Sequence, residues 1–148
     1  MINLRRWKEL GIFFEEHAEL NSFIYGAADD DIIAKVEKLK QNEYPVLIGI
    51  LPSILGTGTN FDIMGHESPL FYYVMVPYTN MSEEQMDEAW ENTLTKVKAI
   101  EEQIKLFSYD KNYREFYLVK PETIHIDPEF AMWGLMGWSI GFEIEHAY

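Results

Sequence analysis

The strongest helix pattern in the sequence is SEEQMDEAWENTLTKVKAIEEQIKLF, residues 82–107. Its apolar residues recur at steps of three and four, which places them on one side of a helix of about seven turns, roughly 38 Å long. Ser82 and Gln85 have the spacing of a capping box, which marks the helix start. Because the apolar stripe is so long, it needs a sheet or a second subunit to cover it. The stripe consists of Met86, Trp90, Leu94, Val97, Ile100, Ile104 and Phe107.

Strand patterns lie on both sides of this helix. Upstream, residues 44–51 (YPVLIGIL) and 71–79 (FYYVMVPYT) are short, apolar and rich in β-branched or aromatic side chains, which is typical of buried strands. Pro77 cannot donate a ladder hydrogen bond, so we expect it at a sheet edge or near the strand exit. Downstream, residues 113–119 (YREFYLV) alternate, and the pattern continues irregularly to Ile126.

The cleanest alternation lies in residues 136–145, MGWSIGFEIE. It predicts a strand with one buried face and one wet face, and the wet face would carry Gly137, Ser139 and Gly141. Glycine weakens a strand, so we expect these positions to admit the close approach of another backbone or subunit. Trp138 falls on the buried side, and we interpret it as a core residue.

Two further helices are predicted near the N-terminus. In the first, Leu4, Trp7, Leu10 and Phe14 follow helical spacing. The second begins at residues 29–31, three aspartates whose carboxylates would cap free N–H groups and complement the helix dipole. A metal site is the alternative for these aspartates. Between the helices, residues 22–25 form a brief strand or an extended link.

The order of these elements predicts one α+β domain over residues 1–148. We expect a mostly antiparallel sheet of about four to five strands, packed against the long central helix and preceded by two N-terminal helices.

Composition narrows the function classes. The chain has 148 residues, 12 Lys+Arg against 25 Asp+Glu, a formal charge of −13 and no cysteine. Such acidity predicts no tight nucleic-acid binding, although much of it lies at two helix starts, residues 29–31 and 83–88, where we attribute it to capping. Without cysteine there is no disulfide and no Cys-ligated zinc. No apolar run reaches the roughly 20 residues of a membrane span, and the N-terminus lacks a signal-peptide pattern, so we expect a cytoplasmic protein without membrane contact.

No motif predicts catalysis or a cofactor. Residues 56–60 (GTGTN) lack the lysine of a phosphate-binding loop and the third glycine of a dinucleotide fingerprint. His125 and Asp127 would share one strand face, and with Glu143 and His146 they would suggest a metal site if the strands paired, but the sequence does not determine that pairing. We therefore expect no enzyme, no cofactor and no metal.

The remaining candidates are residues that could contact another chain. Phe130, Trp133 and Trp138 form an aromatic stretch suited to a ligand pocket or an interface, and Trp133 lies in a Met/Gly-rich loop. The predicted oligomer or partner interface comprises Thr57, Thr59, Asn60, Phe61, Trp133, Gly137, Ser139 and Gly141.

These features resemble small phage and prophage proteins of the tail-terminator and tail-completion type. The resemblance spans residues 4–146: an N-terminal helix, an apolar YPV strand with Pro after it, and a long Ser-capped helix after a tyrosine-rich strand. It ends on the strand with Gly137, Trp138, Phe142, Glu143 and Ile144. It implies a non-enzymatic structural protein of the virion, which assembles as a ring at the head–tail or tail end with other virion proteins, while DNA passes through.

The acidity leaves a second hypothesis open. An acidic protein-binding module, of the immunity or inhibitor type, would recognise a basic partner, and added salt would slow their association.

Overall fold

The computed structural model describes residues 4–51, 67–109 and 119–145. They form an α+β fold with one five-stranded sheet and a long helix packed on it, as the sequence predicts. The predicted strand residues 113–118 lie outside the described part of the chain. In chain order the elements are α1 (Leu4–His17), β1 (Ser22–Gly26), α2 (Asp29–Glu37), a 3-10 turn (Gln41–Glu43), β2 (Val46–Ile50), β3 (Glu67–Pro77), α3 (Glu83–Tyr109), β4 (Val119–Met132) and β5 (Leu135–Glu145).

The sheet is mixed, with the strand order β1-β2-β3-β5-β4. Its one parallel pair is β1 with β2, and α2 supplies the crossover connection that parallel neighbours require. The other pairs are antiparallel, which confirms the prediction of a mostly antiparallel sheet. Pro77 is the last residue of β3, so its missing N–H falls at the strand exit, as expected. Among the described strands, β1 and β4 form the two edges of the sheet.

Helices α1 and α3 cover one face of the sheet, which we call the two-helix face. Its core is aromatic: the Trp7 and Tyr72 rings stack at 5.9 Å between centroids, and Tyr72 stacks on Phe142 at 6.2 Å. Phe14 meets Tyr72 edge-on at 5.3 Å. All four side chains are fully buried or nearly so. Burying one such ring contributes roughly 1.5–3 kcal/mol, so this stack fixes α1 against the middle of the sheet.

The long helix α3 begins with the predicted capping box. The Ser82 N–H donates to Gln85 Oε1 at 2.9 Å, and the Gln85 N–H donates to Ser82 Oγ at 3.2 Å. Val97 and Ile100 are fully buried, as the stripe requires, whereas the side chain of Phe107 lies outside the described residues. Thr93 is also fully buried, and its hydroxyl donates to a main-chain oxygen of the helix at 2.6 Å, which satisfies the polar group.

Helix α2 lies on the opposite side, which we call the α2 face. Ile32 packs there against Val46 and Ile48. The three aspartates occupy the first turn of α2, which confirms the predicted helix start. The capping role was wrong: the N-cap is Ala28, and no side chain caps the helix. The carboxylates therefore act through their charge on the helix dipole.

A tight turn joins β4 to β5. Trp133 (φ 54°) and Gly134 (φ 74°) both adopt left-handed conformations at its centre, which is the pattern of a type I′ hairpin turn. Ala131 (φ 63°) lies at a register shift just before the turn. The shift and the turn together fold the Trp133 side chain back over the α2 face.

Candidate functional site

Trp133 connects the last hairpin to α2. Its ring meets Tyr73 edge-on at 5.0 Å, and its Nε1 donates to Asp29 Oδ1 at 3.1 Å. The indole is half-buried, so part of the ring stays accessible. Trp133, predicted as an interface residue, thus makes contacts within its own chain.

Two carboxylates flank Tyr73 on the α2 face. Burial raises the pKa of Tyr73, and the charges of Glu129 and then Asp29 raise it further. Ser139 donates to Glu129 Oε1 at 3.0 Å, just as Trp133 donates to Asp29. Since both donors are neutral, these bonds orient the carboxylates without neutralising them. We call this group, formed by Asp29, Tyr73, Glu129, Trp133 and Ser139, the carboxylate site.

The prediction that one face of β5 is exposed to solvent is wrong. Gly137, Ser139 and Gly141 are buried, with Ser139 only 5% exposed. A Cβ on Gly141 would lie 2.5 Å from Cε1 of His125, and one on Gly137 would lie 1.9 Å from the carbonyl oxygen of Val74. The small residues therefore admit side chains and backbone of their own chain. Their contact with a second subunit stays a prediction.

His125 and Asp127 of β4 share one face of the strand, as the sequence alternation predicts. Strands β4 and β5 pair, with His125 opposite Gly141 and Asp127 opposite Ser139, so His125 and Asp127 share the α2 face. Within residues 4–51, 67–109 and 119–145, no group of three His, Asp or Glu side chains lies close enough to hold a metal ion. His146 and the predicted loop residues Thr57, Thr59, Asn60 and Phe61 lie outside these ranges.

The sheet separates the predicted aromatic stretch into two groups. Trp133 lies on the α2 face, whereas Phe130 and Trp138 lie on the two-helix face. Phe130 is 55% exposed, and its ring lies 4.8 Å from Tyr78 and 6.4 Å from Trp90 between centroids. Trp138 packs edge-on beneath Trp90 and donates to its carbonyl oxygen at 2.9 Å, so it is partly buried against the core. We call Tyr78, Trp90 and Phe130 the aromatic patch.

An acidic segment of α3 borders the aromatic patch, and the sequence-based interpretation of its residues 83–88 was helix capping. The dipole favours carboxylates only within the first turn, which holds Glu83 and Glu84. None of the segment's acids makes an ion pair with another described residue. We call this segment the acidic ridge; its members, all exposed, are Glu83, Glu84, Asp87, Glu88 and Glu91.

The spacing within the acidic ridge opposes helix stability. Glu83, Asp87 and Glu91 follow one another at intervals of four, as do Glu84 and Glu88. Like charges at this spacing each destabilise a helix by about 0.2–0.5 kcal/mol. Farther along α3, an acid at this spacing faces a base instead: Glu101 lies 3.5 Å from Lys105. Stability therefore does not explain the ridge, and the spacing was the signal that could have revealed it.

No described helix is both long enough and apolar enough to cross a membrane. No family model, curated protein or solved structure matches the chain.

Proposed function

We propose that this protein is a non-enzymatic structural subunit that assembles into a ring at the head–tail or tail end of a phage or prophage, beside other virion proteins. This is the role of the tail-terminator and tail-completion proteins that the sequence resembles. Each subunit of a ring presents one surface to one neighbour and a different surface to the next. The observation that carries the proposal is the unlike charge at the two edges of the sheet.

The β1 edge carries lysines. The Nζ atoms of Lys8 and Lys35 lie 4.8 Å and 4.6 Å from the ring centroid of Tyr25. Lys35 also donates to the Tyr25 carbonyl oxygen and lies 3.7 Å from Asp31. Because a lysine occupies this carbonyl, β1 is a poor template for strand pairing. The proposed contact therefore joins charged side chains.

The β4 edge carries carboxylates. It lies four strand spacings from β1, or about 19 Å. Asp127 is exposed there, and Glu129 is half-buried within the carboxylate site, which also holds the predicted interface residues Trp133 and Ser139. Opposite charges on two surfaces of one subunit favour head-to-tail contacts and disfavour contacts between like edges.

Charge reversal tests this contact, with sedimentation velocity over a concentration series as the measurement. We expect Lys8→Glu and Asp127→Lys each to weaken assembly, and the double variant to restore it because the exchanged charges attract again. Lys98→Glu is the matched control, since Lys98 is exposed on α3, and it should leave assembly unchanged. Assembly that is insensitive to both single variants contradicts the proposed contact.

A further inference from the structure

The acidic ridge and the aromatic patch form one continuous surface. Trp90 belongs to the patch by its ring contact with Phe130, and it lies in the same helix as the ridge, directly before Glu91. Asp87 and Glu83 precede it by three and seven residues, which places them on the same side of the helix. The surface thus has an apolar centre and a polar border of one charge, which is the usual anatomy of a protein interface.

The charges of this surface exclude several occupants. Nucleic acid is excluded because phosphates and carboxylates repel. A second copy of the same surface is excluded because two acidic ridges would face each other. What remains is a partner with cations around an apolar anchor.

The spacing of the acidic ridge indicates the shape of that partner. Acids at intervals of four along a helix lie about 6 Å apart at 1.5 Å per residue. A second helix with Lys or Arg at the same interval presents cations at the same repeat, while its apolar side faces the aromatic rings.

We propose that the surface formed by Tyr78, Trp90, Phe130 and the acidic ridge binds a basic amphipathic helix of a partner protein. This goes beyond the proposed ring and does not depend on it, because the ring contact uses Lys8 beside β1 and Asp127 on the α2-face side of β4, and neither residue belongs to the docking surface. Docking at this surface uses the two-helix face. The proposed partner is therefore basic and helical, and its binding site is distinct from the surfaces that would join subunits of the ring.

Peptide binding to the full chain tests the proposal. The probe is an amphipathic peptide of about 18 residues, or about five helical turns, built from leucine and lysine with lysines at intervals of four. A scrambled peptide of the same composition has the same charge without the amphipathic face. We expect the amphipathic probe to bind more tightly, to weaken with added salt, and to change the tryptophan fluorescence of the protein. Equal binding of the scrambled peptide overturns the helical partner.

Two variants locate the site. Phe130→Ala removes the exposed anchor, and we expect binding about thirtyfold weaker, as for a central interface aromatic. The triple variant Glu83→Gln, Asp87→Gln, Glu91→Gln neutralises one row of the ridge, and we expect binding about tenfold weaker. Asp87→Gln alone, which retains the first-turn carboxylates, should unfold at a higher denaturant concentration than wild type, because the like-charge repulsion with Glu83 and Glu91 is removed. A merely structural ridge would not shift binding and stability in opposite directions.

The matched control has the same change in net charge. Glu16→Gln, Glu37→Gln and Glu102→Gln together neutralise three exposed acids away from the surface. We expect this control to bind the probe within about twofold of wild type. Equal losses in the ridge variant and the control overturn the proposal. Because a monomer suffices for the measurement, a failure of ring assembly and a failure of docking give different results.

Discussion

The Nε1 of Trp133 donates a hydrogen bond to Oδ1 of Asp29 at 3.1 Å, and so joins the last hairpin turn to the first turn of α2 across 104 residues of chain. From the sequence, one residue is a loop tryptophan and the other is an aspartate at a helix start, and nothing in either local pattern predicts that they are in contact. In the fold they hold each other in place beside Tyr73. A tryptophan expected to face another chain thus fastens two parts of its own.

A double-mutant cycle measures this link. Trp133→Phe retains an aromatic ring on Tyr73 but removes the donor, and we expect the free energy of unfolding to fall by about 1 kcal/mol. Asp29→Asn weakens the acceptor. We expect the double variant to lose less than the two single losses combined, by at least about 0.5 kcal/mol, in urea unfolding. Simple additivity would mean that the hydrogen bond contributes nothing.

The two buried glycines of β5 should differ in their tolerance of a methyl group. At Gly137 the new Cβ meets a backbone oxygen that belongs to the sheet, so we expect Gly137→Ala to cost about 3 kcal/mol or more. At Gly141 it meets the ends of two side chains, the exposed His125 ring and the Phe71 ring, which give way more easily than backbone, so Gly141→Ala should cost about 1 kcal/mol.

Adding His125→Ala should recover part of the loss in Gly141→Ala, because it removes the nearer of the two clashing rings. The measurement is chemical denaturation of the four proteins. Equal costs at both glycines would show that the strand shifts freely and that the contacts of β5 do not constrain it.

Local patterns predicted the elements, whereas contacts distant in sequence determined the surfaces. The capping box at Ser82 and the alternation of β5 are written in neighbouring residues, so both were predictable. The burial of Gly141 depends on His125 and Phe71 leaning over it from two other strands, which period-two alternation does not encode. The parallel pairing of β1 with β2 likewise depends on tertiary packing of α2, because short apolar strands look alike in either direction.

The acidic ridge was only partly explained by the sequence-based interpretation. The interpretation of residues 83–88 as a helix start accounts for the first turn only. The four-residue intervals from Glu83 to Asp87 to Glu91 are visible in the sequence, and helix capping does not explain them. The neighbouring Phe130 could not be placed in the same way, because its contact with Trp90 joins β4 to α3.

The capping box of α3 should be measurable by itself. Ser82→Ala removes the acceptor of the Gln85 N–H, and we expect a loss of about 1 kcal/mol in the free energy of unfolding. Ser82→Asp retains an acceptor and should lose much less. Ser108→Ala is the control at the other end of the helix, where the hydroxyl donates to a carbonyl oxygen and caps no N–H. Thermal or urea unfolding gives the free energy of unfolding of each variant. Equal losses in Ser82→Ala and Ser108→Ala would contradict a capping role for Ser82.

Alkaline unfolding should report the burial of Tyr72. Burial raises the pKa of Tyr72 well above its usual value near 10, so the folded protein holds the phenol proton more tightly than the unfolded chain does. Its stabilising effect is therefore complete below pH 10 and is lost as the pH rises above that value, where the unfolded chain ionises.

We expect Tyr72→Phe to move the alkaline unfolding midpoint upward, as followed by circular dichroism between about pH 9 and 12. Tyr73→Phe should move it less, because Tyr73 is only half-buried and its pKa is raised to a smaller degree. An unchanged midpoint in Tyr72→Phe would mean that other groups govern alkaline unfolding.

The proposed ring requires that this acidic chain assemble through its own surfaces. Light scattering after size exclusion over a series of protein concentrations, combined with negative-stain microscopy of the peak fraction, tests it most directly. We expect one defined oligomer whose mass is constant over the upper concentrations and whose particles are closed rings. A strict monomer at every concentration would contradict it.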